Sequence, residues 1–396
     1  MKLLYISKYQ FVKKDNKAYA LPAYGDAFWQ KYLDVFDEIY VLGEEIKSYL
    51  NNGTVSEIAD PRIKVEILAP NTNPKDFGND AVIKKELKKH IADAEAILIK
   101  PSCRKGIMAI KIAKELNKPY MIELTGDLNL TLKNNSSLLK KLYRFYIHKR
   151  ITAAIKDCKF GLYVTEQYLQ EVYRISGKQC GCTDTVILDP DEEVLQNRLK
   201  KIEAMSKQGE ISIGMVASYH DNRKGLDTAL ETLALTGNKK IKLHVLGLGT
   251  QEDRDKWLNY AEKYNVREQL VFDASLSGIE NVLKWNDNMD IIILPSRSEG
   301  LPRCIVESLS RACPCVISNV CGMPELVEEK WLHSPDDSKK LALLINEMLS
   351  DKELMKNTAK INFEKSKEFK FDVLKKKRNA FLSEFKEYCE NYKKES

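Results

Sequence analysis

The chain has 396 residues, 43% of them hydrophobic and 30% charged, with a net charge of +6. That length exceeds one ordinary compact core and favours two domains, and the steady supply of aliphatic and aromatic residues, without a long Gly, Ser or Pro tract, excludes a mainly disordered chain. The start has only four apolar residues in a row before Ser7 and Lys8, too short for a signal-peptide core, and no run approaches the ~18 apolar residues of a spanning helix; a cytoplasmic protein is expected.

In chain order, Leu3 to Ile6, Ile39 to Leu42, Val65 to Leu68, Ala96 to Ile99, Tyr120 to Glu123 and Gly161 to Val164 read as buried strands, with helix-like segments between several of them. This alternation predicts an α/β fold with a parallel sheet covered by helices. Ala23-Tyr24-Gly25-Asp26 precedes the apolar-periodic Phe28, Trp29, Tyr32 and Leu33 and reads as a helix start. Gly25 there either permits close approach of a phosphate or acceptor or is an ordinary turn glycine. Thr125-Gly126-Asp127 follows the Tyr120 to Glu123 strand at its carboxyl end, where Asp127 either serves an acceptor or caps a helix. Residues 131–160 hold eight Lys or Arg and one acid, Asp157, with Leu138, Leu139, Leu142, Tyr146 and Ile147 interleaved at helical spacing. Such a helix either rests peripherally on anionic lipid at a membrane face or packs its apolar stripe inward and solvates its basic face. The patch would also attract a phosphate-rich acceptor, whereas nucleic acid is not expected, because the aromatics show no recognised binding motif.

From about Cys180 to Glu210 the pattern weakens, and Asp189-Pro190-Asp191-Glu192-Glu193 is charged and turn-rich. The expected division is a first domain over 1–190, a linker over 191–210, a second domain over 211–370 and a C-terminal helix over 371–396. The second series of strands runs Ile211 to Val216, Lys242 to Leu246, Leu270 to Phe272, Ile291 to Leu294 and Cys315 to Ser318, with helices at Leu226 to Leu235, Gln251 to Tyr264 and Pro302 to Ala312. Two doubly wound halves would leave a cleft at the carboxyl ends of their strands, where open α/β sheets bind ligands. Nine cysteines, without a Cys-x-x-Cys pair or a histidine pattern, fit reduced thiols; Cys313, Cys315 and Cys321 are poorly spaced for zinc and read as core. No metal and no cofactor is expected.

The most informative stretch runs from Asp290 to Ser308. A strand ends at Leu294, the loop carries Glu299 and Gly300, and Pro302 is placed as the first helical residue. A helix start offers free amides and the positive end of its dipole, which suit a phosphate. Glu299 lies in that loop and Glu307 about two turns into the helix. A carboxylate accepts from two sugar hydroxyls at once; alternatively Arg303 and Arg311, four residues before and after Glu307, form an exposed ladder of ion pairs with it. Lys224-Gly225 precedes one helix and Val245-Leu-Gly-Leu-Gly follows one strand. Gly247 and Gly249 lack the third glycine of a dinucleotide fingerprint, so a nicotinamide cofactor is not expected.

Glu299, seven residues, Glu307, then Pro314-Cys-Val-Ile-Ser and Gly322-Met-Pro-Glu-Leu-Val together resemble the family 4 retaining glycosyltransferases of group 1. The resemblance is specific over about 211–330 and architectural over the N-terminal half. It implies a GT-B fold, two Rossmann-like domains facing a cleft, and transfer of a sugar with retention from a UDP- or GDP-sugar to a hydroxyl of a glycan or polyprenyl-diphosphate-linked acceptor, as in cell-surface polysaccharide synthesis. It implies further that Glu307 binds the nucleotide ribose, that Glu299 contacts the donor sugar, and that Lys224 with the Gly300 and Leu301 amides faces the diphosphate without a metal. Asp127 would then act on the acceptor side. The chain departs from the family where Tyr219 or Ser218 replaces an Arg, for which Arg223 is the substitute at hand, and where Ala312 and Cys321 stand for glycines. A sugar-nucleotide epimerase or phosphorylase on the same fold, or a non-catalytic nucleotide-sugar-binding subunit, are the rival readings.

Overall fold

A computed structural model describes residues 1–15, 17–45, 55–71, 74–127, 138–187, 189–206 and 208–395. They form two compact units, one drawn from 1–127, 138–182 and 375–395 and the other from 183–374.

In the first unit the strands are β1 (Lys2–Lys14), β2 (Lys17–Ala20), β3 (Glu38–Glu45), β4 (Ser56–Ile58), β5 (Ile63–Leu68), β6 (Ala96–Ile99), β7 (Tyr120–Leu124), β8 (Phe160–Tyr163) and β9 (Lys178–Gly181). Its helices are α1 (Asp26–Leu33), α2 (Asp80–Ala92), α3 (Arg104–Glu115), α4 (Leu138–Ile155) and the single turn-and-a-half α5 (Tyr168–Val172). β6 and β8 are buried at every residue, as central parallel strands must be when helices cover both faces. The parallel order is β5-β3-β1-β6-β7-β8-β9; β2 pairs antiparallel with the far end of β1, and β4 with β2. β1 therefore runs well past the expected Leu3 to Ile6, because its polar second half finds a hairpin partner.

The basic segment is described only in part. Residues 131–137 and the side chains of 138–142, which include Lys133, Lys140, Lys141 and the expected Leu138, Leu139 and Leu142, lie outside the described residues. In the remainder of α4, Ile147, Ile151 and Ile155 are buried at one-turn spacing, while Tyr143, Phe145 and Tyr146 are exposed. Tyr146 thus leaves the inward stripe in which its spacing placed it. Among the described residues no helix is long and apolar enough to cross a membrane.

The second unit opens with α6 (Glu192–Ala204), which corrects the expected linker over 191–210. Asp191 caps it by accepting from the Glu193 amide. Its inward stripe is Leu195, Arg198 and Ile202, and the buried Arg198 guanidinium donates to the carbonyls of Asn286, Met289 and Arg311. An arginine at the packing position hides the helical period from a reading of apolar residues. Then follow β10 (Ile211–Val216), α7 (Leu226–Thr236), β11 (Ile241–Leu246), α8 (Gln251–Lys263), β12 (Leu270–Asp273), α9 (Ile279–Asn288), β13 (Ile291–Leu294), α10 (Arg303–Ser310), β14 (Cys315–Ser318), β15 (Leu332–His333), α11 (Ser338–Ser350) and α12 (Lys352–Ser366). The all-parallel order β12-β11-β10-β13-β14-β15 reverses between β10 and β13.

The last helix, α13 (Phe371–Glu395), serves the first unit from Lys375 onward. Phe381, Leu382, Phe385 and Cys389 are buried, and the Phe160 ring of β8 meets Phe381, Phe385 and Tyr388 at 5.3 to 5.7 Å between centroids. The first unit is thus built from both ends of the chain.

Candidate active site

In open parallel sheets, ligands bind beyond the carboxyl ends of the strands where the strand order reverses. In the second unit that point lies between β10 and β13, whose following loops, 217–225 and 295–302, are stitched together. The Arg297 amide donates to the Arg223 carbonyl at 2.9 Å, and its guanidinium reaches the Asn222 carbonyl, the Asp227 carboxylate at 2.8 Å and Asp336 at 2.6 Å. Gly225 closes the junction: its φ is +78°, and a Cβ there would lie 2.1 Å from the Pro295 carbonyl oxygen. Glycine alone meets both conditions.

This stitching brings Lys224 Nζ to 2.6 Å from Glu299 Oε1, an oxygen that also accepts from the Ser296 hydroxyl at 3.0 Å. Burial works against the Lys224 charge, but Cys304 and the Glu299 carboxylate outweigh it and hold the ammonium above its ordinary range. Arg223 is exposed on the same loop. Pro302 is the N-cap of α10 rather than its first helical residue, the amides of Ile305 and Val306 both donating to its carbonyl, and no side chain caps this helix. Among the described residues the Gly300 and Leu301 amides donate to no protein acceptor, whereas the Gly300 carbonyl accepts from the Gly322 amide at 3.1 Å. An uncapped helix start and two available amides, beside a lysine that Glu299 neutralises, gather donors of the kind a phosphate needs.

Glu307 lies on the same helix at 6% exposure. Half of the expected ladder exists: Arg303, itself 68% exposed, bonds Glu307 at 2.6 Å, but Arg311 turns away and pairs bidentately with Asp287 at 2.7 Å. Nor is Glu307 the exposed rung that a surface ladder requires. Burial raises its carboxyl above the ordinary range, Arg303 opposing in part. It borders a cavity of about 140 Å³ whose apolar walls include Ile187, Pro190, Ile279 and Leu283.

The Gly247 and Gly249 pair has a packing explanation. A Cβ at Gly247 would lie 1.8 Å from the Ala217 carbonyl, and one at Gly249 would lie 2.5 Å from the Tyr219 ring. Tyr219, where the resemblance expects an Arg, is fully buried and donates its hydroxyl to the Val245 and Asp273 carbonyls, so it builds the floor of the loop and offers no cation. Ala312 and Cys321 adopt φ of +53° and +50°, the left-handed conformation that explains glycines at these positions. All nine cysteines are free thiols.

The remaining expected residues belong to the first unit. Gly25 is the N-cap of α1 with φ −72°, and a Cβ there would meet only ordinary contacts, so nothing in its backbone demands glycine. Asp127 is buried, its two oxygens accepting from the Tyr168 and Tyr173 hydroxyls at 2.8 and 2.7 Å. Sequence reasoning missed Arg297 and two buried ion pairs, Lys100 with Glu123 and Lys105 with Glu44. The signal for one of them was legible: Glu123 is a charge inside a strand that is otherwise apolar and buried. Among the described residues one group of three possible metal ligands comes together, Glu66, Glu86 and His90 on β5 and α2; none forms around Lys224 and Glu299.

Residues 197–365 match the family model for glycosyl transferases group 1. The chain is a glycosyltransferase with the GT-B fold. Protein CapJ of Staphylococcus aureus is 24% identical over 99% of this chain and 97% of its own length. Among solved structures, Anabaena Alr3699/HepE in complex with UDP superposes with a TM-score of 0.66 at 15% identity, covering 97% of this chain and 100% of that one. WaaG, a glycosyltransferase involved in lipopolysaccharide biosynthesis, gives a TM-score of 0.61 at 12% identity over 96% and 99%. In this glycosyltransferase the matched segment covers the Lys224–Glu299 pair, the start of α10 and Glu307 together.

Proposed function

We propose that this enzyme moves a sugar from a nucleoside diphosphate sugar to a hydroxyl of a glycan or lipid-linked acceptor, with retention, in polysaccharide assembly. The observation that carries the reading is the Lys224–Glu299 pair set beside the uncapped start of α10. The solved HepE complex with UDP and the stated role of WaaG in lipopolysaccharide biosynthesis support the donor class and the setting.

As the glycosidic bond breaks, negative charge develops on the departing diphosphate. Lys224 and the Gly300 and Leu301 amides neutralise it where it appears, which lowers the barrier without a bound metal. Glu299, released in part from Lys224 by the incoming phosphate, accepts from the donor sugar hydroxyls, and Glu307 accepts from the ribose. The leaving phosphate takes the acceptor proton on the same face from which it departs, so no enzymic nucleophile is required and the anomeric configuration is kept. Asp127 and Gly25 belong, in this reading, to the acceptor side, with Asp127 fixing Tyr168 and Tyr173.

Calorimetric titration of the purified chain with UDP, GDP, ADP and NAD, chelator present, tests the donor site. One nucleoside diphosphate binds, and Glu307→Ala loses it; Glu299→Ala cuts turnover at least about tenfold, ~1.4 kcal/mol of barrier. Binding to none of the four, or to NAD alone, refutes the assignment, and NMR of the product's anomeric proton decides retention.

A further inference from the structure

Glu299 meets its protein partners through one of its oxygens. Oε1 takes both the Lys224 ammonium at 2.6 Å and the Ser296 hydroxyl at 3.0 Å. Oε2 accepts from no donor among the described residues and stays open to solvent. The two anchors differ in what a ligand can do to them. The Lys224 side chain is 17% exposed and carries the charge on which an incoming diphosphate would draw. Ser296 is fully buried, and its single hydroxyl proton is already committed to the carboxylate.

Ser296 is itself clamped. It stands two residues past β13, after Pro295, whose carbonyl oxygen is the atom that Gly225 allows the Lys224 loop to approach. The buried Ser318 hydroxyl of β14 donates to the Ser296 carbonyl at 2.6 Å, and the next amide, that of Arg297, donates to the Arg223 carbonyl at 2.9 Å. The loop is thus held through its backbone. The Ser296 hydroxyl is left with one partner among the described residues, the Glu299 carboxylate. A donor fixed before the ligand arrives orients a carboxylate without reorganisation during the reaction. Lys224 alone could not do this, because phosphate oxygens compete for it. With its ammonium shared and no serine behind it, the carboxylate would be free to turn about its last torsion and exchange its two oxygens.

We propose that Ser296 is a positioning residue: it keeps Glu299 Oε1 anchored while Lys224 turns to the diphosphate, so that Oε2 stays aimed at the donor sugar hydroxyls. The proposal rests on the sugar-transfer reading above and names a further residue on which that site depends. The test is a double-mutant cycle on the full chain. UDP, GDP and ADP are titrated calorimetrically. Turnover is followed without acceptor on UDP-glucose, UDP-galactose, UDP-N-acetylglucosamine, GDP-mannose and ADP-glucose; the anomeric C–O bond to phosphate breaks and water supplies the new hydroxyl, giving free sugar and the nucleoside diphosphate. The expected result is that Ser296→Ala lowers kcat at least about fivefold, and by no more than Glu299→Ala does, while the donor KM and the nucleoside diphosphate affinity stay within about twofold. Ser296→Cys, close in volume and a weaker donor, lies between. With Glu299→Ala already present, Ser296→Ala slows turnover no further, since it acts through that carboxylate. A loop merely deformed by the substitution would instead lose the nucleoside diphosphate, because Lys224 and the Gly300 and Leu301 amides stand on the same pair of loops. Unchanged kcat in Ser296→Ala, a loss of nucleotide affinity as large as the loss of kcat, or losses that multiply in the double variant overturns the proposal and leaves the donor reading standing. A chain that binds no nucleoside diphosphate, or binds one and releases sugar from none of the donors, overturns both.

Discussion

Glu307 carries opposite consequences for binding and for stability. Burial raises its carboxyl above the ordinary 4.5, and in the ribose-binding role proposed for it only the ionised form offers both oxygens as acceptors. Nucleotide affinity should therefore fall as the pH drops through this raised pKa, at a higher pH than an ordinary carboxylate would allow, and calorimetry from pH 8 to pH 5 should show a slope that Glu307→Gln removes. For folding the sign reverses. A folded pKa above the unfolded one gives stability that is present at low pH and lost as pH rises through the folded value. At pH 8 Glu307→Gln should thus melt higher while binding the nucleotide more weakly. Ala312 offers the complementary case. It holds φ +53° without being glycine, so Ala312→Gly should relieve the left-handed strain and stabilise the second unit by about 1 kcal/mol in a denaturant titration, less whatever its lost methyl packing contributes.

The elements around the donor site depend on one close approach. Gly225→Ala adds a Cβ 2.1 Å from a backbone oxygen at a left-handed φ, and neither partner is a side chain that can swing aside. The variant should lose more than about 2 kcal/mol and should weaken UDP binding with it, because the Lys224 loop can no longer seat on Pro295. The strands that position this site were legible because runs such as Ile291 to Leu294 are buried on both faces, and such runs are apolar throughout. The sequence reading lost those elements whose patterns are impure. β2 and β4 are short polar edge strands, visible only once the far end of β1 pairs with them, and α6 packs through Arg198. Glu299, Glu307 and Lys224 stand out in the sequence through the motif they share with the family. Their meeting does not, since Lys224 and Glu299 lie 75 positions apart and only the reversal of strand order joins their loops. Lys100 and Glu123 escaped for a related reason: a lysine after a strand and a glutamate within one carry no shared spacing.

At the scale of the molecule, the two units differ in how the chain builds them. The second is continuous from Thr183, while the first requires α13 from the other end of the sequence. Removing residues 375–396 takes Phe381, Leu382 and Phe385 away from the first unit, at about 1.5 to 3 kcal/mol each, or about 5 to 9 kcal/mol together. That is comparable with the whole stability of a domain. The shortened chain should keep its UDP affinity in calorimetry, while limited proteolysis cuts readily within 1–182; resistance of that region would show that α13 is dispensable.

The same discontinuity sets an order of assembly during synthesis. Residues 1–182 leave the ribosome well before the helix that covers Phe160 is made. At roughly 5 to 20 residues per second the incomplete first unit waits on the order of 10 to 40 s for its closing segment, while the second unit is made. During that interval the apolar face around β8 is open to chaperones and to other nascent chains. Of the two units, the one begun first is therefore the one completed last.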